Sequence, residues 1–295
     1  MVKLQDIYHY IIKRNSMLFK KAGVAISERN FQLILLAIVV IVIIFGYYFQ
    51  LTKKSTIILI IMYALTILTI PSIIYESKIE KFEKNLPKAL YVMVLALESG
   101  RSIMDAIDEV IESGIKEVDV VFFKITLLMK INKLSFEEAM LIVSNNTDSK
   151  IFRQIGRLII ENRRYGGELA EVLKTLAKTL EDLQNLKSQL LSVTANGLAV
   201  GLVIICGVIP ATAGIMGGYM NAIAGVVPNS PPVTPEQIAK CMEAVQIGTG
   251  LFGVLFAIPL FGLKVNRMIV ISTICMTMGM LSFYGLIKGV GLLFS

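Results

Sequence analysis

Long apolar stretches that are almost free of charged residues lie towards both ends of this chain, and they predict helices that cross a membrane. About 20 consecutive apolar residues span the hydrocarbon core of a bilayer as an α-helix. The chain has one such stretch at 31–51 and a second at 57–75, and three more follow towards the C-terminus, at 193–219, 248–263 and 268–294. We therefore expect an integral membrane protein with about five transmembrane helices.

The polar segment between the second and third stretches has the periodicity of helices. Apolar residues recur there every three or four positions, as at Leu86, Leu90 and Met93, which gives each helix one apolar face. Breaks rich in Gly, Ser and Asn divide the segment into six predicted helices, at 85–98, 102–112, 117–131, 135–144, 148–164 and 167–190. The predicted fold class is all-α, with a six-helix bundle at 76–190 between the membrane helices.

A similar turn recurs in this segment at a spacing of 33 residues, with Gly100, Lys133 and Gly166 in equivalent positions. The predicted structural turn residues are Gly100, Gly166, Gly167 and Glu168. The middle turn lacks glycine, so we expect Asn132 to take the left-handed conformation there. The repeat predicts three helical hairpins that begin at similar turns.

Two of these turns also carry a helix-start signal. Ser102 precedes Asp105 by three residues, and Ser135 precedes Glu138 in the same way. This spacing predicts capping boxes, in which each side chain bonds the backbone amide of the other residue. At the far end of the segment, leucines from Leu169 to Leu190 lead without Gly or Pro into the third apolar stretch, which predicts one continuous helix.

Charge fixes the expected orientation. The net charge is +7, but residues 76–189 hold 17 of the 29 basic and 18 of the 22 acidic residues, so the basic excess lies elsewhere. Basic residues near span ends favour the cytoplasmic side. We expect a basic cytoplasmic arm at 1–30, a transmembrane hairpin at 31–75, the bundle in the cytoplasm, and three C-terminal spans at 191–295 with an external loop at 220–246.

The sequence offers little for metal or cofactor chemistry. Cys206, Cys241 and Cys275 lie far apart, and His9 is the only histidine. We expect no metal and no cofactor. No basic face for nucleic acid is evident in the bundle segment. The spans hold one basic residue, Lys288, near the end of the last stretch, so nothing resembles an ion pathway.

Two charged groups are the candidate site residues. The acidic group repeats at helical spacing, and the basic group lies near the third turn. A solvated face, a partner-docking face and, for the carboxylates, acid–base catalysis are the alternatives. We take both groups as candidate docking residues and predict no catalytic residue. They are Asp105, Asp108, Glu109 and Glu112, and Arg153, Arg157, Arg163 and Arg164.

Several motifs resemble the F domain of type II secretion and type IV pilus platform proteins. They are Leu86-Pro-Lys-Ala-Leu, the turn after Glu98, Ser135-Phe-Glu-Glu-Ala-Met, and Gly166-Gly-Glu-Leu-Ala-Glu-Val-Leu. The order of spans and bundle is similar to the tight-adherence C and archaeal pilus branch, which carries a single F domain.

This resemblance implies a non-enzymatic platform in the inner (cell) membrane. The F domain would engage a hexameric secretion ATPase, and the spans would receive pilin-like subunits for filament assembly. A single F domain implies pairing with itself or with a related F-domain subunit. The alternative function is a small transporter or channel in which the bundle is a regulatory domain.

Overall fold

A computed structural model describes residues 15, 17, 19, 28–48, 51–162, 167–224 and 234–293. Helices and short turns account for these ranges, and no strand occurs in them. The all-α fold class is confirmed. In chain order the helices are α1 (Glu28–Tyr48), α2 (Lys53–Glu98), α3 (Ile103–Glu112), α4 (Val118–Asn132), α5 (Phe136–Asn146), α6 (Lys150–Asn162), α7 (Gly167–Val203), α8 (Ile209–Ala224), α9 (Pro235–Phe261) and α10 (Val265–Leu293).

Within the described ranges, five helical stretches are long and apolar enough to cross a membrane. They are α1, α2, the run of α7 and α8, α9, and α10, which confirms the predicted number. A π-helical turn, Ile204–Val208, joins α7 to α8. Pro210 lies two residues after this turn; it lacks the N–H that a regular helix would bond to the carbonyl of Cys206, and its ring crowds that carbonyl. The wider π spacing relieves this conflict.

Two predicted boundaries differ from the structure. The second span and the first bundle helix are one helix, α2, because the charged stretch between them is rich in Glu and Lys, which are good helix formers, and contains no glycine. The loop expected at 220–246 is shorter, since α8 runs to Ala224 and α9 begins at Pro235. A capping box between Thr234 and Gln237 starts α9. The charged residues in its first turns hid this start from the hydropathy pattern.

The chain divides into two compact units. One contains Met1–Ile74 with Leu191–Ser295, and the other contains Tyr75–Leu190. We call them the membrane unit and the bundle unit. The bundle unit has a core to which each of its helices contributes, including Met93, Ile107 and Phe122, which are fully buried. The ring of Phe152 packs edge-on against Phe82, with centroids 5.2 Å apart.

Glycines allow helices of the membrane unit to pack closely. A methyl group at Gly253 of α9 would lie 2.9 Å from the Cα of Ser272 in α10, and one at Gly218 of α8 would lie 2.8 Å from Cβ of Val290. Small residues of this kind let helix backbones approach in membranes. By contrast, a methyl group placed on Gly285 of α10 would have no neighbouring atom within 4 Å. Which glycines pack closely against a neighbouring helix is therefore decided by the tertiary structure.

Candidate functional site

The first repeated turn orders the acidic group. Gly100 is left-handed, with φ at 80°, and α3 begins two residues after Arg101. The Ser102 hydroxyl accepts a hydrogen bond from the Asp105 amide at 3.2 Å, and the Asp105 carboxylate accepts one from the Ser102 amide at 3.1 Å. The predicted capping box is confirmed. Hydrogen bonds from the Ser102 side chain and backbone, with the nearby Arg101 charge, hold the pKa of Asp105 below its ordinary value.

The acidic group lies on the face of α3 that is opposite its core residues. Asp105 and Glu112 are exposed, and Asp108 and Glu109 are half-buried. Arg101 forms an ion pair with Glu109. Asp108 and Glu112 form no hydrogen bond or ion pair with any residue that the structure describes. These two carboxylates are therefore the members of the acidic group that are available to bind a partner protein.

The second turn differs from the prediction at one residue. Lys133, and not Asn132, takes the left-handed conformation, with φ at 53°; Asn132 is the last residue of α4. The chain reverses between the two helices at the position equivalent to Gly100, so the geometry of the repeat outweighs the side-chain preference. The second capping box is confirmed, since the Ser135 amide donates to the Glu138 carboxylate at 3.0 Å.

The basic group is only partly described. Arg153 and Arg157 lie on α6 away from its buried residues; Arg157 is exposed and Arg153 is half-buried. The Nε atom of Arg153 is buried without a hydrogen-bond partner among the described residues. Arg163, Arg164 and Gly166 lie outside the described residues, as does the side chain of Glu168, so the third turn stays a prediction.

The bundle unit also has two open grooves that the sequence did not indicate. The larger, of about 600 Å³, lies between α6 and α7, and the smaller, of about 340 Å³, lies between α2 and α3. The exposed side chain of Leu95 lies in the smaller groove beside the ion pair of Arg101 and Glu109. An apolar residue off the core face of α2 is the signal that could have revealed this groove.

Comparison with known proteins gives the family. The model of "Type II secretion system (T2SS), protein F" matches residues 89–217. The chain is also 53% identical, over 288 residues, to an uncharacterized protein of Methanocaldococcus jannaschii, covering 97% of this chain and 96% of that relative. The chain belongs to the type II secretion protein F family. No solved structure matches it.

Membership of the protein F family confirms the resemblance that the turn motifs carried, and it places this chain among platform-type membrane proteins of secretion and pilus systems. The matched segment contains both confirmed capping boxes and both charged groups, with α7 and most of α8. Within the described ranges, no three His, Cys, Asp or Glu residues are grouped so that they could hold a metal ion.

Outside the segment that the protein F model matches, the membrane unit of this chain contains a buried polar contact that sequence reasoning missed. Gln246 of α9 is fully buried; it accepts a hydrogen bond from the Ser55 hydroxyl and donates one to the Ser55 carbonyl at 3.0 Å. One turn away, the Thr52 hydroxyl donates to the Glu243 carboxylate at 2.5 Å. These side chains satisfy one another, which is typical of polar groups that join membrane helices.

Proposed function

We propose that this protein is the inner-membrane platform of a filament-assembly machine related to type IV pili and type II secretion. In this role it couples a cytosolic hexameric secretion ATPase to the extraction of pilin-like subunits and their assembly into a filament. The observation that carries the proposal is the protein F match on the bundle and the helices that follow it. The protein itself performs no chemistry in this scheme, and ATP hydrolysis belongs to the partner.

The acidic and basic groups are the proposed docking residues for the ATPase. Asp108 and Glu112 support this assignment because they are carboxylates with no described partner, on the helix face opposite the core of the bundle. Arg157 supports it on α6, where an exposed guanidinium can bind a carboxylate of a partner. Opposite charges on one domain favour fast, reversible docking.

Two continuous helices support the mechanical part of the proposal. Both α2 and α7 contain residues of the bundle unit and of the membrane unit. An α-helix without an internal proline bends little over short lengths, and α7 contains none, whereas α2 contains Pro71 and Pro87; a displacement of the bundle is therefore passed mainly along α7. The proposed orientation has the N-terminus and the bundle in the cytoplasm, where the ATPase is, and pilin-like subunits enter from the bilayer beside the spans.

The experiment measures binding of the full-length protein, in lipid nanodiscs, to secretion-type ATPases of its host. We expect saturable, salt-sensitive binding that D108K/E112K weakens roughly tenfold. Reversing the charge of these two side chains at the rim of an interface replaces attraction to basic groups of the partner by repulsion. E171K is the control, because Glu171 is also exposed but lies on α7, which carries neither of the two charged groups. Absence of binding to any such ATPase, or equal binding by D108K/E112K and the wild type, would contradict the proposal.

A transporter or channel remains the second candidate, and the Glu243 carboxylate within the membrane unit is the observation that favours it. The hydrogen bond from Thr52 gives this carboxylate a structural role, which favours the platform. The two functions separate in proteoliposomes that contain this protein alone. A platform gives no solute flux there, whereas flux that E243Q abolishes would support transport.

A further inference from the structure

Helix α7 carries buried apolar residues near its start and exposed apolar residues further along, on a side of the helix roughly 100° away. On the inner side, Leu169, Leu173 and Ala177 are buried in the core of the bundle unit. On the outer side, Leu183, Leu186 and Leu190 are 58%, 56% and 67% exposed. Single exposed leucines are common on protein surfaces, but three that follow one line along a helix are not explained by chance exposure.

The outer leucines follow the heptad spacing of a two-stranded coiled coil. Positions 183, 186, 190 and 193 are separated by three, four and three residues, which is the alternation of a and d positions. Gly197 and Val200 continue the same register in the same helix, and no side chain lies within 4 Å of a methyl group placed on Gly197. The surface formed by Leu183, Leu186 and Leu190 is called the outer stripe below.

Lipid does not explain the outer stripe. Charged Glu181, Asp182 and Lys187 alternate with its leucines, and all three are exposed. A charged side chain in the hydrocarbon core is costly, so this part of α7 lies in water. The leucines therefore face water unless another protein surface covers them.

The charges beside the stripe identify the cover as a second copy in parallel orientation. With Leu183 and Leu190 at a positions, Asp182 is a g residue and Lys187 is the e residue five positions later. A parallel coiled coil places each g residue against that e residue of the other strand. Asp182 of each copy therefore lies beside Lys187 of the other copy, and the dimer has two such ion pairs related by its twofold axis. An antiparallel pair would bring like charges together. Neither Asp182 nor Lys187 forms a hydrogen bond or ion pair with a described residue.

Membrane topology agrees with the parallel choice. Helix α7 runs from the bundle unit into a membrane-crossing stretch. Two copies inserted with the same topology and related by a twofold axis along the membrane normal have parallel α7 helices.

We propose that two copies of this protein pair through the outer stripe, as a parallel two-stranded coiled coil flanked by reciprocal Asp182–Lys187 ion pairs. This proposal deepens the self-pairing that belongs to the proposed function. Its test requires neither the ATPase nor a pilin, so the coiled coil can fail while the platform function stands, and the reverse also holds.

The experiment uses cysteine cross-linking of the full-length protein in membranes, with the wild type and its three native cysteines as the baseline. Under oxidation, L186C and L190C are expected to give roughly tenfold more disulfide dimer than S188C and K178C, because only the first two bring equivalent Cβ atoms close together. Ser188 and Lys178 are exposed positions of the same helix that point away from the predicted seam.

A second measurement leaves the leucines intact. Two differently tagged copies, one with D182C and one with K187C, are expected to cross-link with each other far more than either does with itself. The charge variants D182K and K187D should each lower L186C cross-linking roughly three- to thirtyfold, and the double variant D182K/K187D should restore it. K178D is the matched control and should change nothing.

Several outcomes would overturn the proposal. Equal cross-linking at all four single-cysteine positions would indicate random collision, and none at L186C and L190C would show that another surface covers the stripe. Cross-linking of D182C with D182C in preference to K187C would indicate an antiparallel pair. If D182K/K187D does not restore cross-linking while K178D has no effect, the Asp182–Lys187 ion pairs do not form.

Discussion

The left-handed residue at the middle turn gives a prediction with a definite sign. Lys133 has φ at 53°, whereas Gly100 occupies the equivalent position of the first turn with φ at 80°. A residue with a Cβ atom costs about 1–2 kcal/mol in this conformation. Glycine avoids that cost but loses about 0.5–1 kcal/mol through the greater freedom of the unfolded chain. The difference predicts that K133G stabilises the bundle unit by about 0.5–1 kcal/mol.

No lost contact complicates this balance, because Lys133 is exposed and forms no hydrogen bond or ion pair with a described residue. The matched control is K130G. Lys130 is also exposed, but it lies in the last turn of α4 with helical geometry. Glycine in that setting is expected to destabilise by about 0.5–1 kcal/mol. The same chemical change, three residues apart, should therefore have opposite signs.

Hydrogen exchange of the full-length protein in detergent measures both effects locally. Amides at the end of α4 and the start of α5 should exchange about two- to fivefold more slowly in K133G and faster by a similar factor in K130G. The reverse substitution at the first turn, G100A, should accelerate exchange at the start of α3, since no atom lies within 4 Å of the added methyl group and only backbone strain changes. Unchanged or faster exchange in K133G, with K130G as expected, would refute the reasoning.

Three further predictions follow from named contacts. S135A should lower the stability of α5 by about 1 kcal/mol, measured by exchange of its first-turn amides, and an unchanged rate would mean that the capping box contributes nothing. G253V should lower the midpoint of thermal unfolding in detergent by the equivalent of about 1–3 kcal/mol, because its side chain meets the backbone of α10, whereas G248V, in open space, should not. The lowered pKa of Asp105 means that its carboxylate stabilises α3 above the ordinary aspartate pKa, and that this contribution is lost as the pH falls through the lowered value. An acid titration of α3 exchange should therefore be flatter in D105N, and identical titrations would contradict this assignment.

The parts of the fold that the sequence predicted well are those fixed by local patterns. The length of an apolar stretch is enough to predict a membrane-crossing helix, and the six bundle helices followed from apolar spacing and from breaks such as Ser99-Gly100. The capping boxes at Ser102 and Ser135 were also predictable, because both partners of each box lie three residues apart. Interactions within one turn of helix need no knowledge of the rest of the molecule.

The candidate site was predictable only in outline. Helical spacing placed the acidic group on one face of α3, and the capping-box spacing assigned Asp105 to Ser102, but neither pattern showed that Glu109 pairs with Arg101. Which carboxylates stay available depends on these partners. The outer stripe was hidden in a similar way, since the leucines of α7 form one run in the sequence and divide between the core and the surface only when the bundle packs.

By itself, then, the sequence determined which helix faces are apolar and where the helices that start with the capping boxes at Ser102 and Ser135 begin, because those properties depend on neighbours within a few residues. Tertiary structure decided the rest. Ser55 and Gln246 are 191 positions apart, and no local pattern reveals that they share hydrogen bonds in the membrane unit. Lys133 took the left-handed conformation that its side chain disfavours, because the two helices it joins must reverse at that residue. Packing between helices set both features, and its energy exceeds the local preferences that a sequence displays.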